Sequence, residues 1–146
     1  SVCWALRSDA LAGGILVDAS DNFPTRYALN ETAHRSARPM VHGAAAGWSG
    51  QASVFASGCR EGAPCYRCWV PQTPPEAEAC DEVGVVGPIT GIVSTLMALE
   101  VIKLVTGAGT PLIGHLVLVD GLGGTPRKVG LRRDASCPVC GTERAV

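Results

Sequence analysis

Ile15-Leu16-Val17-Asp18-Ala19, followed by Ser20-Asp21-Asn22-Phe23-Pro24, is the stretch that decides the fold. The first five residues are an apolar run after Gly13-Gly14, too short for a helix and suited to a buried strand. Asp21 or Asn22 then offers a side-chain acceptor for the free N–H groups at a helix start. Pro24 suits the first turn, so the sequence predicts a helix running to about Ala37. Pro39-Met40-Val41-His42-Gly43 follows as a second strand. Strand, helix and strand in so short a span form a βαβ unit, which requires parallel pairing and a right-handed crossover. Ligands of such units bind beyond the carboxyl ends of the strands, where Asp21 falls.

Downstream, Ser49-Gly50 is expected to turn the chain into a strand over Gln51 to Ala56. Gly58, Gly62 and Pro64 then mark a loop. Between Val70 and Glu82, prolines alternate with acidic residues, which reads as a solvated connecting loop around Cys80. Val83 to Val105 is the most apolar segment, with Ile89, Ile92, Val93, Leu96, Leu99 and Ile102 at helical spacing. Pro88 opens this helix and Gly107 closes it. Its length approaches that of a membrane span. Gly84, Gly87, Pro88, Gly91 and polar Thr and Ser residues interrupt it, however, and Glu100 and Lys103 fall in its last turns, so the reading is a long buried core helix. His115 to Asp120 and Arg127 to Leu131 flank Gly121-Leu122-Gly123-Gly124 and predict a hairpin. Together these elements make an α/β fold with a mixed sheet.

Pro64-Cys65-Tyr66-Arg67-Cys68 has a counterpart in Cys137-Pro138-Val139-Cys140. One C-x-x-C pair is as compatible with a redox dithiol as with a metal site. Two pairs supply the four soft sulfur ligands of a tetrahedral zinc site, with disulfides as the alternative. The separation between the pairs far exceeds the about 15–20 residues of a local zinc ribbon. A metal held by Cys65, Cys68, Cys137 and Cys140 would therefore clip distant parts of the chain together.

The 146 residues amount to a single domain, 1–146, and 47 % hydrophobic against 17 % charged residues excludes a disordered chain. A formal net charge of -1 gives no attraction to polyanions, which argues against nucleic acid as a partner and leaves a zinc-dependent nucleic-acid binder poorly supported. Seven cysteines, four of them in the paired motif, fit a reducing compartment. Ser1 to Asp9 lack the apolar core of a signal peptide, so a cytoplasmic, membrane-free location is expected.

These segments together resemble the ThiF/MoeB/HesA family, bacterial relatives of the ubiquitin-activating E1 enzymes. The resemblance rests on Asp18-Ala19-Ser20-Asp21-Asn22-Phe23-Pro24-Thr25-Arg26 through Asn30, on both cysteine pairs, on Gly84-Val85-Val86-Gly87-Pro88 and on Ala98 to Leu104. It implies the C-terminal half of an E1-like Rossmann-type fold. It also implies MgATP-dependent adenylation of the C-terminal carboxylate of a ubiquitin-like sulfur carrier, a structural zinc on the four paired cysteines, and a homodimer. The family's phosphate-binding G-x-G-x-x-G loop has no match before Asp21, and Gly121-Leu122-Gly123-Gly124 reads as a turn. The expectation is thus a truncated form that does not adenylate by itself. The alternative is a non-catalytic zinc-stabilised module for carrier binding or dimerisation.

By the same resemblance Asp21 would ligate Mg²⁺ and orient the triphosphate, although a helix N-cap is its ordinary role. Arg26 would meet the nucleotide or the carrier tail. Cys80 stands where the ThiF branch has a cysteine that links covalently to its carrier, yet Glu78, Asp81 and Glu82 should raise its thiol pKa. His34, His42 and His115 have no cysteine or carboxylate partner evident in the sequence and read as structural. Trp48 and Trp69 read as packing residues. Arg127, Lys128, Arg132 and Arg133 form a basic cluster suited either to an acidic carrier or to the wet face of a strand.

Overall fold

In the computed structural model, which describes residues 13–75 and 84–142, β1 (Leu16–Asp18) runs parallel to β2 (Met40–Ala46), with α1 (Phe23–Arg35) crossing between them. Asn22 starts that helix: its side chain accepts from Thr25 N at 2.9 Å, and Pro24 lies in the first turn. Asp21 is therefore not the cap, because the neighbouring amide already holds the free donor. β3 (Ser49–Phe55), β4 (His115–Asp120) and β5 (Arg127–Gly130) follow antiparallel, giving the order β1-β2-β3-β4-β5. This is the mixed α/β sheet the sequence predicts.

The turn between β2 and β3 sits at Gly47-Trp48, two residues earlier than expected, with Ala46 paired to Ser49. Gly47 has φ 55, the left-handed conformation that a two-residue hairpin turn asks of its first residue. Trp48 is half exposed at this turn and does not act as a packing residue.

Alternate residues of β2 point to opposite faces, and each face has its own helical cover. On one side α3 (Gly87–Thr106) lays Ile89, Val93, Met97 and Leu104 against Val41, Val54 and Val119. Each such side chain contributes about 1.5–3 kcal/mol when fully buried. The contact is close at Gly43 and Gly50, where an added Cβ would lie 2.8 Å from Val93 Cγ1 and 2.4 Å from Val93 Cγ2, respectively. On the other side, Met40 and Phe55 pack with Ala33 of α1 and with Tyr66 of the one-turn helix α2 (Tyr66–Trp69).

α3 ends at Gly107, whose φ of 73 is the left-handed cap expected there. Its length and composition would suffice to cross a membrane, and among the described residues only one stripe of it is covered. Ile92, Leu99, Ile102 and Val105 stay exposed, the last at 65 %. An all-round apolar helix reads as fully buried, whereas one flat sheet can cover only one side of it. Near its end, Glu100 is buried, accepts Leu112 N at 2.8 Å and pairs with Lys103, tying the helix to the strand-ward loop.

Candidate functional site

Two chemically distinct centres lie on the α1/α2 side of the sheet and its end. The first is built from the two cysteine pairs. Cys65 and Cys68 bracket the first turn of α2, and Cys68 N donates to Cys65 O at 3.1 Å. Cys137 and Cys140 form a matching knuckle in which Gly141 N donates to Cys137 O at 2.8 Å. Gly141 is required there, because a Cβ would stand 2.5 Å from both Ala135 O and Cys137 O.

The four sulfurs all lie within 4.8 Å of one another. Cys65–Cys137, Cys65–Cys68 and Cys68–Cys140 are 3.6, 3.9 and 3.3 Å apart. A disulfide needs about 2.05 Å, so these are not disulfides. A tetrahedron of zinc–sulfur bonds of about 2.3 Å has edges of about 3.8 Å, which these spacings approximate. The donor set therefore fits a soft cation.

The electrostatics agree with that fit. Cys68 is held down to about 4, first by the Cys65 thiol hydrogen-bonded to it and, against burial, by the Asp134 N–H 3.4 Å from its sulfur. The hydrogen bond to Cys68, with burial, pushes the Cys65 thiol up, and burial, with the Cys68 hydrogen bond, pushes the Cys140 thiol up to about 12. Four thiolates in this volume need a cation to coexist. Arg133 adds positive charge behind the cluster, its Nη2 donating to Cys140 O. Asp134 turns the chain by accepting from Ser136 N and Oγ at 2.8 and 2.7 Å.

The second centre is the end of β1. Asp21 is exposed, and its carboxylate accepts from Asn22 Nδ2 at 3.1 Å. Arg26, one turn into α1, donates from Nη2 to Ser20 O at 2.8 Å and lies over the Phe23 ring. Asp21 is thus an exposed carboxylate next to Ser20, whose carbonyl the Arg26 guanidinium holds. Cys80 lies outside the described residues.

Behind this turn stands a pair that the sequence reading missed. His42 does have a carboxylate partner: Asp18 accepts from it, and also from Ser20 N and Oγ at 3.0 and 2.7 Å. Despite the burial that opposes it, these bonds hold the Asp18 carboxyl below its usual range. The signal lay in the parallel register, which sets Asp18 directly beside His42. His42 in turn packs on Tyr66 and Trp69, so Trp69 is a packing residue as expected. His34 bonds Ser57 Oγ through Nδ1 and His115 lies 3.3 Å from Ile113 O, both structural contacts.

A groove of about 520 Å³ opens on the α3 side, between Ile92 and Leu96 of the helix and Val117 and Val119 of β4. Arg127 and Lys128 of β5 form its basic rim.

The model of the ThiF family matches residues 13–139. The chain is 46 % identical over 133 residues to the sulfur carrier protein adenylyltransferase of Thermus thermophilus, covering 88 % of this chain and 49 % of that protein. It is 39 % identical over 147 residues to the mouse adenylyltransferase and sulfurtransferase MOCS3, covering 98 % and 31 %. Escherichia coli MccB solved with ATP superposes with a TM-score of 0.70 at 17 % identity, over 87 % of this chain and 39 % of that one. The chain thus spans about half, or less, of the length of these relatives. The MccB likeness shows that the two chains share a fold.

Proposed function

The chain belongs to the ThiF family, and we propose that it forms the metal-holding, carrier-facing half of an ATP-dependent adenylyltransferase acting on a ubiquitin-like sulfur carrier. The observation that carries this reading is the likeness to the Thermus sulfur carrier protein adenylyltransferase along nearly the whole chain. The site geometry supports it. Asp21 is an exposed carboxylate at the carboxyl end of a parallel strand, able to hold Mg²⁺ of the nucleotide, and Arg26 beside it can meet phosphate or the carrier's carboxylate. The four cysteines hold zinc in an architectural role, because a closed set of four thiolates leaves no position for substrate.

The apolar groove with Arg127 and Lys128 at its rim is the docking surface for an acidic carrier, the basic residues steering its approach. Phosphate binding comes from a glycine-rich loop outside these 146 residues, which contain no G-x-G-x-x-G motif.

Titration calorimetry with a Gly-Gly-ending sulfur carrier tests the reading. The expected result is saturable binding that weakens about tenfold in Arg127→Glu and weakens further at high salt. Pyrophosphate exchange with MgATP should require addition of a nucleotide-binding half. Absence of carrier binding overturns the proposal, and so does robust exchange by this chain alone.

A further inference from the structure

Arg26 is held from two sides, and both holds lead back to Tyr66. On the strand side its Nε and Nη2 donate to Ser20 O at 3.3 and 2.8 Å. Ser20 in turn donates from N and Oγ to Asp18 Oδ1, and Asp18 Oδ2 lies 2.7 Å from His42 Nδ1. The His42 ring packs on Tyr66 with centroids 5.0 Å apart. On the helix side the Arg26 guanidinium lies over the Phe23 ring, 5.0 Å from its centroid. Phe23 meets Tyr27, its i+4 neighbour along α1, at 6.2 Å, and Tyr27 meets Tyr66 at 5.7 Å.

These contacts close into a circuit, and every member except Tyr66 belongs to the β1–α1–β2 unit. Tyr66 comes from α2 and is wholly buried. Phe55 and Trp69 meet its ring edge-on, each at 5.7 Å, and its backbone N–H donates to Asn30 Oδ1 at 2.8 Å. A ring enclosed on so many sides has no room to turn aside. It is the fixed stop of the circuit, whereas Arg26 and Phe23, half-buried, form the end nearest solvent.

We propose that Tyr66 is a positioning residue for Arg26. Its ring stands against both His42 and Tyr27, and through them fixes the carbonyl and the aromatic face on which the guanidinium rests. The N–H groups of Arg26 not spent on Ser20 O are then aimed before an anion arrives, which lowers the ordering cost of binding it. That this anion is a nucleotide phosphate or the carrier's carboxylate rests on the function proposed above; the hold on Arg26 does not.

Exchange of the Arg26 Nε proton with solvent tests the hold in the absence of carrier and nucleotide. It is followed by NMR on the full chain with isotope-labelled arginine, parent and variants being compared at equal zinc content. Tyr66→Leu removes the ring and should speed exchange at Arg26 about tenfold, the order expected for two lost ring contacts, while the β3 amides keep their protection. Tyr66→Phe keeps the ring and should restore a rate within about threefold of the parent. Tyr27→Leu, at a half-buried position outside the cysteine knuckle, cuts the helix-side route alone and should give an intermediate rate. It carries the test if Tyr66→Leu does not fold. Parent-like exchange at Arg26 in the leucine variants overturns the proposal, as does a Tyr66→Phe rate as fast as that of Tyr66→Leu. Equal acceleration at Arg26 and in β3 also overturns it, because the fold as a whole has then loosened. The expected pattern in a chain that binds no carrier would remove the functional reading and leave the positioning role standing.

Discussion

His42 Nδ1 lies 2.7 Å from Asp18 Oδ2, and both side chains are wholly buried. The pair joins adjacent parallel strands at the point where β1 gives way to the turn bearing Asp21. A carboxylate only accepts, so Nδ1 carries the proton and the ring's tautomer is set by Asp18. Asp18 spends its other contacts on Ser20, whose carbonyl holds Arg26. The turn that presents Asp21 and Arg26 is thereby anchored to the sheet interior. His42→Leu should leave Asp18 buried with one strong partner missing and destabilise the fold by about 3 kcal/mol. Urea denaturation of parent and variant measures this. A loss below about 0.5 kcal/mol would mean that the pair contributes little.

Asp18 also predicts an acid limb in the stability profile. Its folded pKa is below the ordinary value of 3.8. The carboxylate contribution is therefore complete above that ordinary value and is lost as pH falls through the lower, folded one. Parent protein should lose stability on acidification below about pH 4 more steeply than Asp18→Asn, which has no proton to take up there. Urea midpoints at stepped pH, compared at equal metal occupancy, give the two slopes. Parallel slopes would assign the acid limb to other groups.

The glycines of the β2–β3 ribbon set the distance of α3 from the sheet. A Cβ on Gly50 would fall 2.4 Å from Val93 Cγ2 and 3.1 Å from Ile89 Cγ2. Both neighbours are β-branched and stiff, so the helix must shift bodily. Gly50→Ala should cost about 1–3 kcal/mol through overpacking, seen as a lowered thermal midpoint. Gly91→Ala, on the open face of α3 where nothing lies within 4 Å, is the control. It should be neutral or stabilising, by about 1 kcal/mol at most.

Local signals were readable where backbone chemistry determines them. Asn22 and Pro24 at the start of α1, Pro88 and Gly107 at the ends of α3, and the two cysteine spacings all state geometric requirements in sequence. What escaped was tertiary. Gly43-Ala44-Ala45-Ala46 has no β-branched residue, so its strand character was invisible; Gly43 is explained by the closeness of α3, whose Met97 and Val93 an added Cβ would meet. The Asp18–His42 pair required the register of two strands to be known, and its members are far apart in sequence. Asn30 reads as a solvated helix residue until α2 is folded onto it. The exposed face of α3 follows from the sheet covering only one stripe of it, a fact carried by no pattern within the helix.

Metal removal should unlatch the C-terminal knuckle selectively. Cys137 and Cys140 reach the body of the protein mainly through sulfur contacts to Cys65 and Cys68, and β5 just before them is exposed throughout. The segment from Leu131 to Gly141 includes Arg132, exposed, and Arg133, whose guanidinium is engaged by Cys140 O while the knuckle is closed. Without the cation, thiolate repulsion and thiol protonation replace ligand bonds, and binding energy that served as folding energy is lost. Limited trypsinolysis of zinc-loaded and chelator-stripped protein should show cleavage after Arg132 or Arg133 accelerated by about tenfold or more in the stripped form, since cleavage follows the population of the locally open state. Cys137→Ser should behave as stripped protein even with zinc present. The β2–β3 ribbon and α3, which have their own apolar core, should keep their protection in both forms. Equal cleavage rates with and without metal would show that packing alone closes the knuckle.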